Sequence, residues 1–249
     1  MMTEKLVKEI SIIIPTKNDE VRIYENIDFL IEYFDNNSEI YEIIIVSNGS
    51  SVNSIKKINN IVNLKQNVKH IELKDTGKGL AIRKGIKSSK YNLVLFTDAD
   101  CSVSIDHFRY FCKENLLVSP LVIGNRKNKL LSEDIDSPFY RRITGFGYIN
   151  LINLLFNLNI EDTQCGFKAL DKKQFNECIQ FKTNGFSFDL ELILLAKLNN
   201  VEITEVPVKY VHNKNSKVKP LKYTFLMFIE VVKIYYWFRK TAKNINPIQ

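Results

Sequence analysis

The chain has 249 residues, 45% of them hydrophobic and 25% charged, which is enough apolar material for one large core or two modest ones. Lys and Arg number 35 against 28 Asp and Glu, and the formal charge of +7 suits an anionic partner without choosing among nucleotide phosphate, nucleic acid and an acidic membrane face. The charged opening MMTEKLVKEI does not read as a signal peptide, and Cys101, Cys112, Cys165 and Cys178 lack the density of a disulfide scaffold and the spacing of a metal cluster, so a cytoplasmic chain with reduced thiols is expected.

SIIIPT (11–16) is a β-branched run closed by proline, as a buried parallel strand looks where it enters a loop. Residues 21–34 then place Ile23, Ile27, Leu30, Ile31 and Phe34 at helical spacing. The pattern repeats: a strand in YEIIIVSNGSS (41–51), a helix over 54–61, a strand over 69–75, a helix over 79–89 and a strand over 91–100. Further on, 121–126 and 201–211 read as strands, the latter near an edge because it contains a proline, and 148–160 reads as an apolar helix. Residues 126–140 are polar and aperiodic, a candidate mobile loop. The histidines His70, His107 and His212 are scattered and suit solvated or core roles.

Strands alternating with helices predict an α/β fold with a mostly parallel sheet covered on both faces, and ligands in such sheets bind beyond the carboxyl ends of the strands. The polar turns PTKNDE, SNGSS and TDADCS fall at those ends and should converge. Asp98 and Asp100 therefore sit at the rim, with Ala99 between them pointing the other way in extended chain. Two such carboxylates suit a hard divalent cation bridging to substrate phosphates, although Asp also serves turns and helix caps; the convergence of three loops favours the metal. TGKGLAIRKG (76–85) sets glycines, Lys78 and Arg83 before a helix, where phosphate could meet backbone N–H groups, but it lacks Walker spacing.

Residues 221–240 have the length of a membrane span, yet Glu230 and Lys233 interrupt it. An interfacial helix anchored by Tyr235, Tyr236, Trp237 and Phe238 with flanking Lys222, Arg239 and Lys240, and a helix packed on the domain, both remain open.

SIIIPTKNDE, EIIIVSNGSS, GKGLAIRKG, LFTDADCS, IGNR, EDTQCGFKAL, FSFDLELILLAK and EVPVKYVHNKNSK occur in an order and spacing that resembles family 2 glycosyltransferases of the polyprenyl-phosphate hexosyltransferase group. Within it the look is most like the dolichyl-phosphate β-glucosyltransferases, and next the mannose synthases. The resemblance spans nearly the whole chain and implies a GT-A fold, with residues 1–212 catalytic and 213–249 a phosphate-closing loop and amphipathic helix. It implies a nucleoside diphosphate hexose donor, UDP-glucose favoured, Mg²⁺ or Mn²⁺, and inverting transfer to a polyprenyl phosphate, dolichyl or undecaprenyl, at the cytoplasmic face of a membrane. By the same resemblance Asp98, Asp100 and Ser102 would hold the metal, and Pro15, Thr16, Asp19, Asn48, Lys78, Arg83 and Ala99 would meet the donor. Arg126, Arg141 and Lys217 match phosphate-binding cations; Asp162, Gln164 and Lys168 match the DTQCGFK signature; Asp189 and Glu191 match its FDxE motif.

Two departures stand out: Ser47-Asn48-Gly49-Ser50 replaces the usual Asp-Asp-Gly-Ser, which blurs the choice between uracil and guanine, and Asn215 replaces the glycine before Ser216-Lys217. A phosphate acceptor is already ionised near neutral pH and needs no general base, so cations matter more; Asp189 or Glu191 would orient sugar or basic side chains. Were the acceptor a saccharide hydroxyl, one of that pair becomes the base. A membrane-bound sugar-nucleotide binding protein without turnover is the rival of another class. Nucleic acid is not an expected partner, because no basic-aromatic platform lies on the sheet.

Overall fold

The β-branched runs form the centre of a seven-stranded sheet. The structure, a computed structural model, describes residues 5–127, 139–178, 183–185, 187–211 and 220–245, with backbone alone at 139–146, 176–178, 220–228 and 242–245. In chain order the elements are β1 (Val7–Thr16), α1 (Glu20–Asn37), β2 (Ser38–Asn48), α2 (Val52–Val62), β3 (Val68–Leu73), α3 (Lys78–Ser88) and β4 (Leu93–Phe96). A 3₁₀ segment (Ile105–Phe111) and the small β5 (Cys112–Lys113) and β6 (Leu116–Leu117) follow, then β7 (Leu121–Asn125), α4 (Phe139–Phe156), β8 (Lys168–Asp171), α5 (Phe188–Leu198), β9 (Ile203–Pro207) and α6 (Pro220–Ile245).

The strand order is β3-β2-β1-β4-β8-β7-β9, and β8 alone runs antiparallel to its neighbours. The chain winds outward from β1 through β2 to β3, then returns to place β4 on the other side of β1. That reversal opens a crevice at the carboxyl ends of β1 and β4. The expected sheet is therefore present, and β9 with Pro207 lies at its edge, as the proline predicts.

Both faces of the sheet are covered, which is why β1 and β2 are buried as continuous runs. Ile12, Ile13 and Ile14 pair with Ile43, Ile44 and Ile45 in register, and each buried side chain of this size contributes about 1.5–3 kcal/mol. Helix α1 buries Ile23, Ile27, Leu30, Tyr33 and Phe34, close to the predicted stripe, with Ile31 only partly covered. Helix α3 lies so near β1 that a Cβ at Gly85 would come within 2.5 Å of Ile13.

Local differences from the sequence reading have identifiable causes. β4 stops at Phe96 instead of continuing through the acids, because the Cys101 N–H donates to the Asp98 carbonyl at 3.1 Å and turns the chain, with Cys101 at φ 46°. Helix α4 begins at Phe139 and ends at Phe156, short of residue 160: Asn157 adopts φ 49°, and Lys197 donates to the carbonyls of Phe156 and Asn157 at 2.9 and 2.5 Å. Most of the candidate loop over 126–140 lies outside the described residues, as do Lys217, His212 and the boundary placed after residue 212.

The thiols of Cys101, Cys112 and Cys165 are free, and burial pushes Cys101 and Cys112 up to about 12. His70 bridges Ser47 Oγ (2.8 Å) and Asn59 (2.6 Å), and His107 accepts the Lys209 N–H at 3.1 Å, so both rings have structural work. Helix α6 seats Val231 and Ile234 against Ile152 and Phe156 of α4 and Leu190 and Leu194 of α5, a second cluster beside the main core. Its other face exposes Ile229, Val232 and Tyr236, at i, i+3 and i+7, next to Lys233 and Lys240. Among the described residues no helix is long and apolar enough to cross a membrane.

Candidate active site

A cleft of about 600 Å³ opens at the switch between β1 and β4. The ends of β1 (Pro15, Thr16 and on to Asp19), β2 (Asn48), β4 (Asp98, Ala99, Asp100, Ser102) and β7 (Arg126) line it, with Lys78 from the start of α3. Ten of the residues expected at the site are thus brought together by four strand ends and one helix. Arg83, Asp162, Gln164, Lys168, Asp189 and Glu191 are not in its wall. Arg141 lies in the first turn of α4, where the backbone alone is described.

The turn at Asp98–Cys101 brings both carboxylates of the DAD motif to the cleft, which an extended strand would not require. Asp98 meets Lys78 Nζ at 2.7 Å. Burial raises the cost of its charge, but Lys78, helped by Arg126, holds the carboxyl below its ordinary value. Asp100 accepts the Ser102 N–H at 3.1 Å and lies 3.9 Å from Arg22, so it performs turn duty while remaining at the cleft wall. Gly166 lies against Asp98 so closely that a Cβ there would sit 2.1 Å from Oδ2. Among the described residues no cluster of three or more His, Cys, Asp or Glu could hold a metal alone. A hard cation here would draw its remaining ligands from a diphosphate and water, and two carboxylates with a cradle left open by glycine fit that requirement.

Asn48 is used differently from a base reader. Its Oδ1 accepts the Gly77 N–H at 2.9 Å and its Nδ2 donates to the Thr16 carbonyl at 2.9 Å. The amide thus ties the ends of β1 and β2 to the loop before α3, a donor and acceptor pairing that an aspartate could not make. Thr16 Oγ1, by contrast, is buried in the cleft wall with no hydrogen-bond partner among the described residues.

Three backbone N–H groups at the N-terminus of α3, those of Gly77, Gly79 and Leu80, are taken by protein acceptors and are not open to a phosphate. The Gly79 and Leu80 N–H groups donate to the carbonyls of Gly185 (3.1 Å) and Asn184 (3.2 Å), so the loop 183–185 has taken that position. Arg83 secures the same loop through Asn184 Oδ1 at 2.8 Å. What this segment offers the cleft is the Lys78 side chain.

The signature acids lie one layer behind the wall. Asp162 holds Arg126 by a two-point pair, Nε to Oδ2 at 2.7 Å and Nη2 to Oδ1 at 2.9 Å, and accepts the Arg126 N–H as well. Burial opposes the charge of Asp162, but Arg126 overcomes it and brings the carboxyl down to about 2, while the arginine stays protonated throughout. Glu205 clamps the backbone on the far side, accepting the Glu161 and Asp162 N–H groups at 2.9 Å. Lys168 is 1% exposed and bonds Asp189 Oδ1 and the Cys165 carbonyl, both at 2.5 Å. Burial pushes the Asp189 carboxyl up despite Lys168 and Lys78. Glu191 accepts the Thr183 N–H and hydroxyl at 2.8 and 2.6 Å, fixing the loop that caps α3.

Several wall residues were not anticipated. Arg22 stands one helical turn beyond Asp19 and 3.6 Å from it, a pairing that the i, i+3 spacing could have suggested. Tyr210 stacks under Arg126, whose guanidinium carbon is 5.4 Å from the ring centre. Glu230 of α6 also faces the cleft; its one signal in the sequence was an acid in the middle of an aromatic run.

A doubly wound sheet whose strand-end loops carry paired carboxylates and cations is the architecture of the GT-A fold. The fold agrees with that of glucosyl-3-phosphoglycerate synthase from Mycobacterium tuberculosis, solved in complex with Mn²⁺, uridine-diphosphate and glucosyl-3-phosphoglycerate: TM-score 0.62, 15% identity, 97% of this chain and 81% of that one covered. The profile of glycosyl transferase family 2 matches residues 11–177, and the chain belongs to that family. It is similar to the dolichyl-phosphate beta-glucosyltransferases of Trichomonas vaginalis, at 28% identity over 91% of this chain and 71% of that protein, and of Dictyostelium discoideum, at 28% over 90% and 73%.

Proposed function

We propose that this family 2 glycosyltransferase moves glucose from UDP-glucose to a polyprenyl phosphate such as dolichyl phosphate, with inversion. The observation that carries the reading is similarity along nine-tenths of the chain to relatives named dolichyl-phosphate beta-glucosyltransferase. The cleft supports it, because Lys78 and Arg126 supply cations where two phosphate groups must be held together.

Asp98 and Asp100, with Ser102 beside them, would hold Mg²⁺ or Mn²⁺, which when bound neutralises charge on the leaving diphosphate. Thr16 and Asp19 would contact the nucleotide. Lys78 fixes the Asp98 carboxylate and faces the donor phosphates, while Arg126, oriented by Asp162 and Tyr210, binds phosphate. Arg141 and Lys217 are proposed partners of the acceptor phosphate. No group in the wall has to remove a proton, since a phosphate monoester arrives ionised. Asp162, Lys168, Asp189 and Glu191 act as positioning residues, holding Arg126 and the loop 183–185. Residues 213–249 form the phosphate-closing and lipid-facing appendage, and the outward stripe of α6 supports peripheral attachment to the cytoplasmic face of a membrane.

The test incubates purified protein and Mg²⁺ or Mn²⁺ with UDP- and GDP-hexoses and a short polyprenyl phosphate, reading products by mass spectrometry. A hexosyl phospholipid from UDP-glucose is expected, and Asp98→Asn should lower its formation by about 100-fold or more. Unchanged turnover in that variant sinks the metal site; donor hydrolysis without lipid product moves the acceptor to a saccharide hydroxyl.

A further inference from the structure

Helix α6 returns one carboxylate to the cleft. Glu230 shares the wall with Gly185 and Arg126, and its Oε2 accepts the Ser187 N–H at 3.2 Å. A Cβ at Gly185 would fall 2.3 Å from Oε1, so the approach of helix to loop depends on a glycine there. The other carboxylates of the wall each stand near a cation: Asp98 is 2.7 Å from Lys78, and Asp19 and Asp100 are 3.6 and 3.9 Å from Arg22. Among the described residues Glu230 makes no ion pair. A carboxylate with no counter-charge among the described residues repels phosphate, and from a sugar nucleotide it can accept hydrogen bonds only from N–H or hydroxyl donors. The hydroxyl-rich part of a sugar nucleotide is the hexose. Tyr148 of α4 adds to this environment: its hydroxyl is buried with no partner among the described residues, and burial, followed by the charges of Asp189 and Glu230, pushes its pKa up.

We infer that Glu230 is a specificity-determining contact for the transferred hexose, accepting hydrogen bonds from its hydroxyls. The assignment rests on the sugar-nucleotide donor proposed above. It places one sugar-reading group on the same helix whose opposite face carries Ile229, Val232 and Tyr236 outward.

Glu230→Gln is the informative variant, because the amide keeps an oxygen for the Ser187 N–H while removing the charge. Calorimetric titration of the full chain with UDP and with UDP-glucose, in the presence of Mn²⁺, separates the roles without requiring turnover. Wild type should bind UDP-glucose more tightly than UDP, and the variant should lose that advantage by about tenfold while its affinity for UDP changes less than about twofold. In transfer assays, kcat/KM with UDP-glucose should fall by about tenfold or more, and at least one UDP-deoxyglucose should show a loss under about threefold, since the lost hydroxyl and the lost charge are the same contact. An equal loss for UDP and UDP-glucose, or equal losses across all donors, makes Glu230 a structural brace and overturns the inference, as does an unaltered preference. A wild-type protein that binds neither nucleotide overturns the donor reading itself.

Discussion

Asn48 and Asp162 show how far a residue's chemistry depends on what surrounds it. From the sequence alone, Asn48 could read a base by donating or accepting; in the fold both halves of its amide are engaged by Thr16 and Gly77, so the departure from an acid becomes a staple between loops. Asp162 matches a ligand-binding signature, yet its oxygens are spent on Arg126. Its carboxyl lies at about 2 against an ordinary 3.8, so the folded state favours the ionised form. The stabilisation is fully present above the unfolded value and is lost as pH falls from about 4 through 2. Asp162→Asn should therefore cost about 2 kcal/mol in urea unfolding at pH 6, kept below the cost of a fully buried pair by the partial exposure of Arg126, and the gap to wild type should narrow by pH 3. A pH-independent gap would show that the pair does not carry this linkage.

At the scale of elements, the decisive arrangement is the loop 183–185 lying across the start of α3. Glycine-rich sequence before a helix suggested a phosphate cradle, but two of its N–H groups are taken by carbonyls distant in the chain. Gly79 and Gly166 should consequently respond differently to alanine. A Cβ at Gly79 would meet Phe188 Cβ at 2.7 Å and the carbonyl oxygens of Thr183 and Gly185 at 2.9 Å, so backbone must move; destabilisation of about 1–3 kcal/mol is expected by thermal melting. At Gly166 the first obstacle is the movable end of Asp98, so Gly166→Ala should change stability by under about 1 kcal/mol while transfer falls by about tenfold at limiting metal. Equal melting losses in both variants would contradict this division of roles.

For the whole molecule, α6 takes up one of the two open readings of residues 221–240, a helix packed on the domain, and the interfacial reading of its other face is the proposal to be tested. One face packs on α4 and α5 through Val231 and Ile234. The other shows Ile229, Val232 and Tyr236 beside basic side chains, and Arg239 is held 5.3 Å over the Tyr235 ring. Placing Glu at both Val232 and Tyr236 should weaken sedimentation with anionic vesicles by about tenfold at low salt without shifting the melting temperature, and raising salt should weaken wild-type binding as well. Vesicle binding unaffected by the double change would remove this face from the membrane.

The alternation of apolar runs and turns was sufficient to give the parallel strands β1 to β4, their covering helices and the convergence of PTKNDE, SNGSS and DADC, because period and punctuation are local properties. β8 escaped notice since four residues following a loop carry no period of their own; only pairing with β4 and β7 makes them a strand. The residues at the site divide the same way. Asp98 and Asp100 could be picked out as charges at a strand end and Lys78 as one at a helix start, where chain order already puts them near the crevice, whereas Arg126 was marked only by the family resemblance. That Lys168, Asp189 and Glu191 would turn inward, and that Glu230 would turn from an apparent flaw in an apolar helix into part of the wall, was decided by tertiary packing. A charge's role follows from which partner is within about 3 Å, and that distance is set by segments far apart in sequence.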